Sequence, residues 1–103
     1  MFTSTFVGYK AAFSGMAAHA ASKSGLIGLT QALAVEWGAQ GIRVNALLPG
    51  GTDTPTGRVV ASTPEALGFV QGLHAMKRIA SPEEIARSAL YPPPRGPCVA
   101  LIR

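Results

Sequence analysis

The chain is short of charge, of cysteine and of aromatic rings. Only 14% of its 103 residues are charged and 7% are aromatic, against 48% hydrophobic. That balance excludes intrinsic disorder over most of the length, because a chain with few charges and many apolar residues can bury enough surface to fold. Cys98 is the single cysteine, so no intrachain disulfide forms and nothing requires an oxidising compartment. No apolar run approaches the ~18 residues of a membrane span, and the first residues lack the basic, apolar and small-residue succession of a secretion signal. A cytoplasmic protein without membrane contact is expected.

Nine basic residues against five acidic ones leave a net charge of +4, yet the basic residues run from Lys10 to Arg103 and only Lys77 and Arg78 are adjacent. A nucleic-acid surface needs them clustered on one face, so nucleic acid is not an expected partner. His19 and His74 have no cysteine or acidic companion at zinc-type spacing, which argues against a metal site. The length allows one domain, burying only about 60 to 65% of its unfolded surface.

What is present reads as alternating strands and helices. Met1 to Val7 has the composition of a strand stub, and Gly8, Ser14 and Gly15 mark a loop. From Ala18 to Ala39 the pattern is helical: Ser22, Leu26, Leu29, Leu33 and Trp37 recur at helical steps and form the expected core face. Gly25, Gly28 and Ala32 occupy a neighbouring face where small side chains allow another helix to approach closely. Gly41 is the expected helix stop, and Ile42 to Leu48 reads as a strand buried on both faces, as in a parallel sheet. Pro49, Gly50 and Gly51 end it, and residues 49 to 61 read as a polar, mobile loop.

Two further helices are marked by their starts. Ser62-Thr63-Pro64-Glu65 has the spacing of a capping box, and Ser81-Pro82-Glu83-Glu84 repeats it with Pro82 at the first helical position and Glu84 at the third. The last helix should run from Pro82 to about Leu90 and stop against Pro92, Pro93 and Pro94. Residues 1 to 90 thus form the folded part, and residues 91 to 103 are expected to be a Pro-rich, unstructured tail.

The run His19-Ala20-Ala21-Ser22-Lys23, the helix after it, and Gly41-Ile42-Arg43-Val44-Asn45-Ala46-Leu47-Leu48-Pro49-Gly50 resemble the C-terminal half of a short-chain dehydrogenase/reductase. That resemblance implies an α/β fold, an incomplete Rossmann-like doubly wound parallel sheet of about two strands plus three helices. It implies NAD or NADP as cofactor and a small carbonyl or alcohol as substrate. By the family pattern Lys23 bonds the nicotinamide ribose and lends its charge to the proton donor four residues earlier. The family places a tyrosine there; this chain has His19. Counting back three residues from Gly8 puts Thr5, with Ser4 beside it, where the family has the hydroxyl that polarises the substrate carbonyl. Thr54 matches the residue that bonds the carboxamide, with Pro49, Gly50 and Thr52 lining the same turn. Arg43 and Asn45 match bracing positions.

The family's glycine-rich pyrophosphate turn has no counterpart in the 103 residues. The resemblance therefore implies a truncated, inactive relative whose ancestral chemistry was NAD(P)-dependent oxidoreduction. The alternative is a noncatalytic module that self-associates through helix 18 to 39. Without the family, His19 and Lys23 read as surface residues one helical turn apart. Thr52 and Thr54 likewise read as turn residues.

Overall fold

The computed structural model describes residues 1–90. The expected Pro-rich tail, 91 to 103, lies outside them. The described residues gather into two compact units, Met1–Pro49 and Gly50–Leu90.

In the first unit, β1 (Phe2–Thr3) pairs in parallel with β2 (Ala46–Leu47), and the 22-residue α1 (Ala17–Gly38) crosses between them and packs on both. The strands are shorter than the expected 1 to 7 and 42 to 48, but the ladder outruns them. The N–H groups of Phe2, Ser4 and Phe6 donate in turn to the carbonyls of Asn45, Leu47 and Pro49 at 2.8, 2.8 and 3.2 Å. Phe6 then ends the pairing by turning: its carbonyl accepts from Tyr9 and Lys10. The run Val44 to Leu48 is buried without alternation, as a strand covered on both faces should be. Val7, Val44, Ala46, Leu47 and Leu48 make the apolar core. Fully burying each of the larger ones contributes about 1.5 to 3 kcal/mol.

Helix α1 ends where a left-handed glycine ends it. Gly41 has φ +76°, its N–H donates to Gly38, and the Ile42 N–H reaches back to Trp37. That pair of bonds satisfies carbonyls the helix would leave open. The face that turns inward is not the expected one. Thr30 is fully buried, and Ala20, Ser24, Ile27 and Ala34 lie half-buried on its line, whereas Ser22, Leu29 and Trp37 are exposed and Leu26 and Leu33 only half-buried. Close packing of helix on strand favours small side chains, and the Thr30 hydroxyl is satisfied within the helix by the Leu26 carbonyl at 2.6 Å.

The second unit holds α2 (Pro55–Val60), α3 (Pro64–Gly72) and α4 (Pro82–Ala89), so four helices occur among the described residues where three were expected. The 49 to 61 segment is not all loop: Thr54 caps α2 by accepting the Gly57 N–H at 3.0 Å, with Pro55 at the first position. A Thr-Pro start signals a helix as Ser-Pro does. Helix α3 uses Thr63, not Ser62, as its cap, because Pro64 belongs at the first helical position and the cap stands just before it. Helix α4 has the full expected capping box between Ser81 and Glu84.

Glu84 also carries a bidentate pair with Arg78 at 2.8 and 2.6 Å. The Arg78 guanidinium first, and the Ser81 N–H second, hold its carboxyl at about 2, below the ordinary 4.5. A carboxyl depressed on folding stabilises α4 above its ordinary pKa, and that contribution disappears as the pH falls from about 4.5 towards 2. The amide signals of Glu84 and Ile85 should therefore follow an acid transition near 2 that Glu84→Gln abolishes; NMR titration of both forms checks it.

Candidate functional site

In the first unit the start of α1 is tied to the end of β1 from both sides. Ser4, 4% exposed, donates its hydroxyl to the Lys23 carbonyl at 2.6 Å, and the Lys23 ammonium donates to the Thr3 carbonyl at 3.0 Å. Gly8, at φ +83°, lets the helix come this close, since a Cβ there would stand 2.6 Å from Ser24 Oγ and 3.0 Å from Ala20 Cβ. Thr5 is half-buried and its hydroxyl oxygen accepts the Val7 N–H in a long 3.4 Å bond. His19 lies one helical turn before Lys23 with its side chain exposed, and its carbonyl accepts the Ser22 hydroxyl. Ser4 and Lys23 are thus brought together where β1 meets α1, with Thr5 next to Ser4 in the chain. Pro49 closes the ladder through its carbonyl.

In the second unit Gly50, Gly51, Thr52, Asp53 and Thr54 form a tight turn. The Thr52 hydroxyl donates to the Gly50 carbonyl at 3.1 Å, the Thr54 N–H donates to the Thr52 carbonyl at 2.9 Å, and the Thr54 oxygen serves as the α2 cap. Asp53 makes a bidentate pair with Arg58, whose guanidinium lowers the aspartate pKa from its ordinary value. The turn is bonded to a distant segment: the Asp53 N–H donates to the Ala80 carbonyl and the Ala80 N–H to the Gly51 carbonyl. His74, which no spacing in the sequence singled out, accepts the Gly51 N–H at Nε2, 2.9 Å away.

Residues 1–91 match the sequence model described as enoyl-(acyl carrier protein) reductase. The chain belongs to the short-chain dehydrogenase/reductase family. The short chain dehydrogenase/reductase astE of Aspergillus oryzae is 47% identical over 81 residues, covering 74% of this chain and 30% of that protein. Among solved structures, the TT0495 protein of Thermus thermophilus shares 37% identity at a TM-score of 0.80, over 87% of this chain and 38% of its own. A short chain dehydrogenase of Burkholderia cenocepacia, solved in complex with NADP, shares 31% identity at a TM-score of 0.74 over 86% of this chain and 35% of its own. The chain spans about a third of the length of the curated relatives it matches.

Each unit of this dehydrogenase/reductase chain keeps a side-chain donor with a proton to give. Lys23 has three N–H donors and gives one to Thr3, and the Thr54 hydroxyl keeps its proton to donate while its oxygen accepts from Gly57. For the pyrophosphate there is no glycine-rich turn leading into a helix among the described residues. No group of three or more His, Cys, Asp or Glu there could hold a metal, and no helix is long and apolar enough to cross a membrane.

Proposed function

We propose that this chain carries the substrate-side half of an NAD- or NADP-dependent carbonyl/alcohol oxidoreductase and that these 103 residues alone do not turn over substrate. The observation that carries the reading is the double tie between Ser4, Lys23 and Thr3, which fixes the hydroxyl-bearing strand end against the lysine-bearing helix turn. Because the Ser4 hydroxyl is committed to the Lys23 carbonyl and buried, Thr5 is the residue that polarises the substrate carbonyl. Lys23 serves the ribose, His19 stands at the proton-exchanging position, and Thr54 bonds the carboxamide, with Pro49, Gly50 and Thr52 shaping its turn. The cofactor, when bound, supplies or accepts the hydride. A neutral imidazole can exchange a proton, but it is shorter than a phenol arm and proton transfer demands hydrogen-bond reach. The lone cysteine fits a reducing, cytoplasmic setting.

Calorimetric titration should show no saturable binding of NADH or NADPH below millimolar concentration, and His19→Tyr alone should give no turnover with small alcohols and ketones. Joining the chain to the part of the Burkholderia cenocepacia dehydrogenase, solved with NADP, that this chain does not cover should restore cofactor binding, and His19→Tyr should then raise turnover about a hundredfold or more, the usual range for a positioned acid. Micromolar cofactor binding by the chain alone, or a chimera in which tyrosine adds nothing, sinks this assignment.

A noncatalytic reading is favoured by the exposed surface of α1. Leu29 and Trp37 are 42% and 40% exposed, and nothing lies within 4 Å of a Cβ built on Gly25 or Gly28. Such a surface suits a second copy of the helix.

A further inference from the structure

In the reading above, the turn from Gly50 to Thr54 carries the nicotinamide contacts, and a side chain 23 residues beyond Gly51 holds it. His74 follows α3 in a backbone that is itself fixed: its N–H donates to the Gln71 carbonyl at 3.1 Å, and its carbonyl accepts the Lys77 N–H at 3.0 Å. Lys77 closes that bend in the left-handed region at φ 53°. The imidazole then lies against two glycines. A Cβ on Gly50 would collide with the ring, and one on Gly51 would stand 3.0 Å from Nε2, 2.7 Å from Val70 Cγ1 and 2.9 Å from Ile79 Cγ2. Missing side chains at 50 and 51 are what admit the ring.

We propose that His74 is a positioning residue for this turn: its Nε2 accepts the Gly51 N–H, and its ring fills the space the two glycines leave. The chemistry fixes the tautomer. An imidazole nitrogen that accepts from a backbone N–H carries no proton, so the ring proton sits on Nδ1. With Ala80 bonded to Gly51 and Asp53 through the backbone, the segment is gripped from two directions, and Thr52 and Thr54 are presented in one conformation. The bond is part-buried, and leaving its N–H without an acceptor carries a desolvation cost, so removing the acceptor should open the turn. The role in cofactor binding rests on the proposed function; the grip itself does not.

NMR on the isotopically labelled 103-residue chain reads the grip without any cofactor. The parent should show a through-bond coupling between the Gly51 amide nitrogen and His74 Nε2, and ring nitrogen shifts of the Nδ1–H tautomer. His74→Phe keeps the bulk and loses the acceptor, and should speed Gly51 amide exchange about tenfold, with α4 amides unmoved. His74→Gln places an amide oxygen near the Nε2 position and should recover most of the protection, which a purely space-filling role would not predict. Absence of the coupling, the opposite tautomer, or equal Gly51 exchange in the parent and His74→Phe overturns the proposal, as does a glutamine variant no better than phenylalanine. If His74→Phe does not fold, the coupling and tautomer in the parent decide. Because cofactor plays no part in these readouts, failure of the proposed oxidoreductase role leaves the grip standing, and failure of the grip leaves the cofactor contacts to be tested separately.

Discussion

Gly8→Val is expected to destabilise the Met1–Pro49 unit by about 3 kcal/mol or more, enough to unfold most of it at room temperature in a chain of this size. Two costs add. The backbone at Gly8 is left-handed at φ +83°, where a side chain is penalised by roughly 1 to 2 kcal/mol and a β-branched one most of all. The new Cβ would also stand 2.6 Å from Ser24 Oγ and 3.0 Å from Ala20 Cβ, closer than atoms approach without displacement. The Ser24 hydroxyl can rotate, but Ala20 sits on the helix and can retreat only if α1 moves off β1. That movement would break the bonds from Ser4 to Lys23 and from Lys23 to Thr3, so the lesion reaches the candidate site through packing alone. Gly15→Ala separates the two costs. Gly15 is equally left-handed at φ +79° but has nothing within 4 Å of a Cβ, so it should lose only about 1 kcal/mol. Urea unfolding followed by the fluorescence of Trp37, the single tryptophan, measures both. Equal losses in the two variants would show that the close approach of helix and strand carries no weight.

Gly28→Leu is expected to weaken self-association of the chain by about tenfold or more while raising its helicity. The two effects have opposite signs because they have separate causes. Glycine inside a helix costs about 1 kcal/mol relative to alanine, and leucine is nearly as good a helix former as alanine, so the substitution favours the helix itself. On the exposed surface of α1, however, nothing lies within 4 Å of a Cβ built on Gly25 or Gly28, and Val35, two turns beyond Gly28, is 83% exposed. A leucine at position 28 holds a second helix away, and close approach is what small residues at a helix crossing provide. Sedimentation velocity at tens of micromolar gives the association, and circular dichroism gives the helicity. A parent that stays monomeric removes the helix-pairing reading. So does a variant that associates as strongly as the parent, because the small residues would then be irrelevant to whatever contact forms.

Features that depend on neighbours along the chain are legible in the order of residues alone. The Ser81 to Glu84 box, Pro82 at the start of α4 and Gly41 at the end of α1 are local signals that stand where their patterns put them, and of the expected buried strand from Ile42 to Leu48 the part from Val44 to Leu48 is buried while Ile42 and Arg43 are exposed. Caps, left-handed stops and double-sided burial are governed by bonds and sterics spanning a few residues, which is why they can be read directly. The four-residue spacing of His19 and Lys23 belongs with them. Thr54-Pro55 is an equally local start signal, masked by the turn residues that crowd the segment around it. Which face of α1 turns inward is instead a matter of packing. Periodicity marks the stripe through Leu29 and Trp37, but the face through Thr30 meets the strands, because approach distance and not apolarity selects it. Packing also separates the hydroxyls of Ser4 and Thr5, neighbours in sequence, since the Ser4 hydroxyl is consumed by a carbonyl 19 residues away. His74 is the extreme case. Its partner lies 23 residues back, and nothing in the order of residues reveals a hydrogen bond that exists only because α3 returns the chain to the turn.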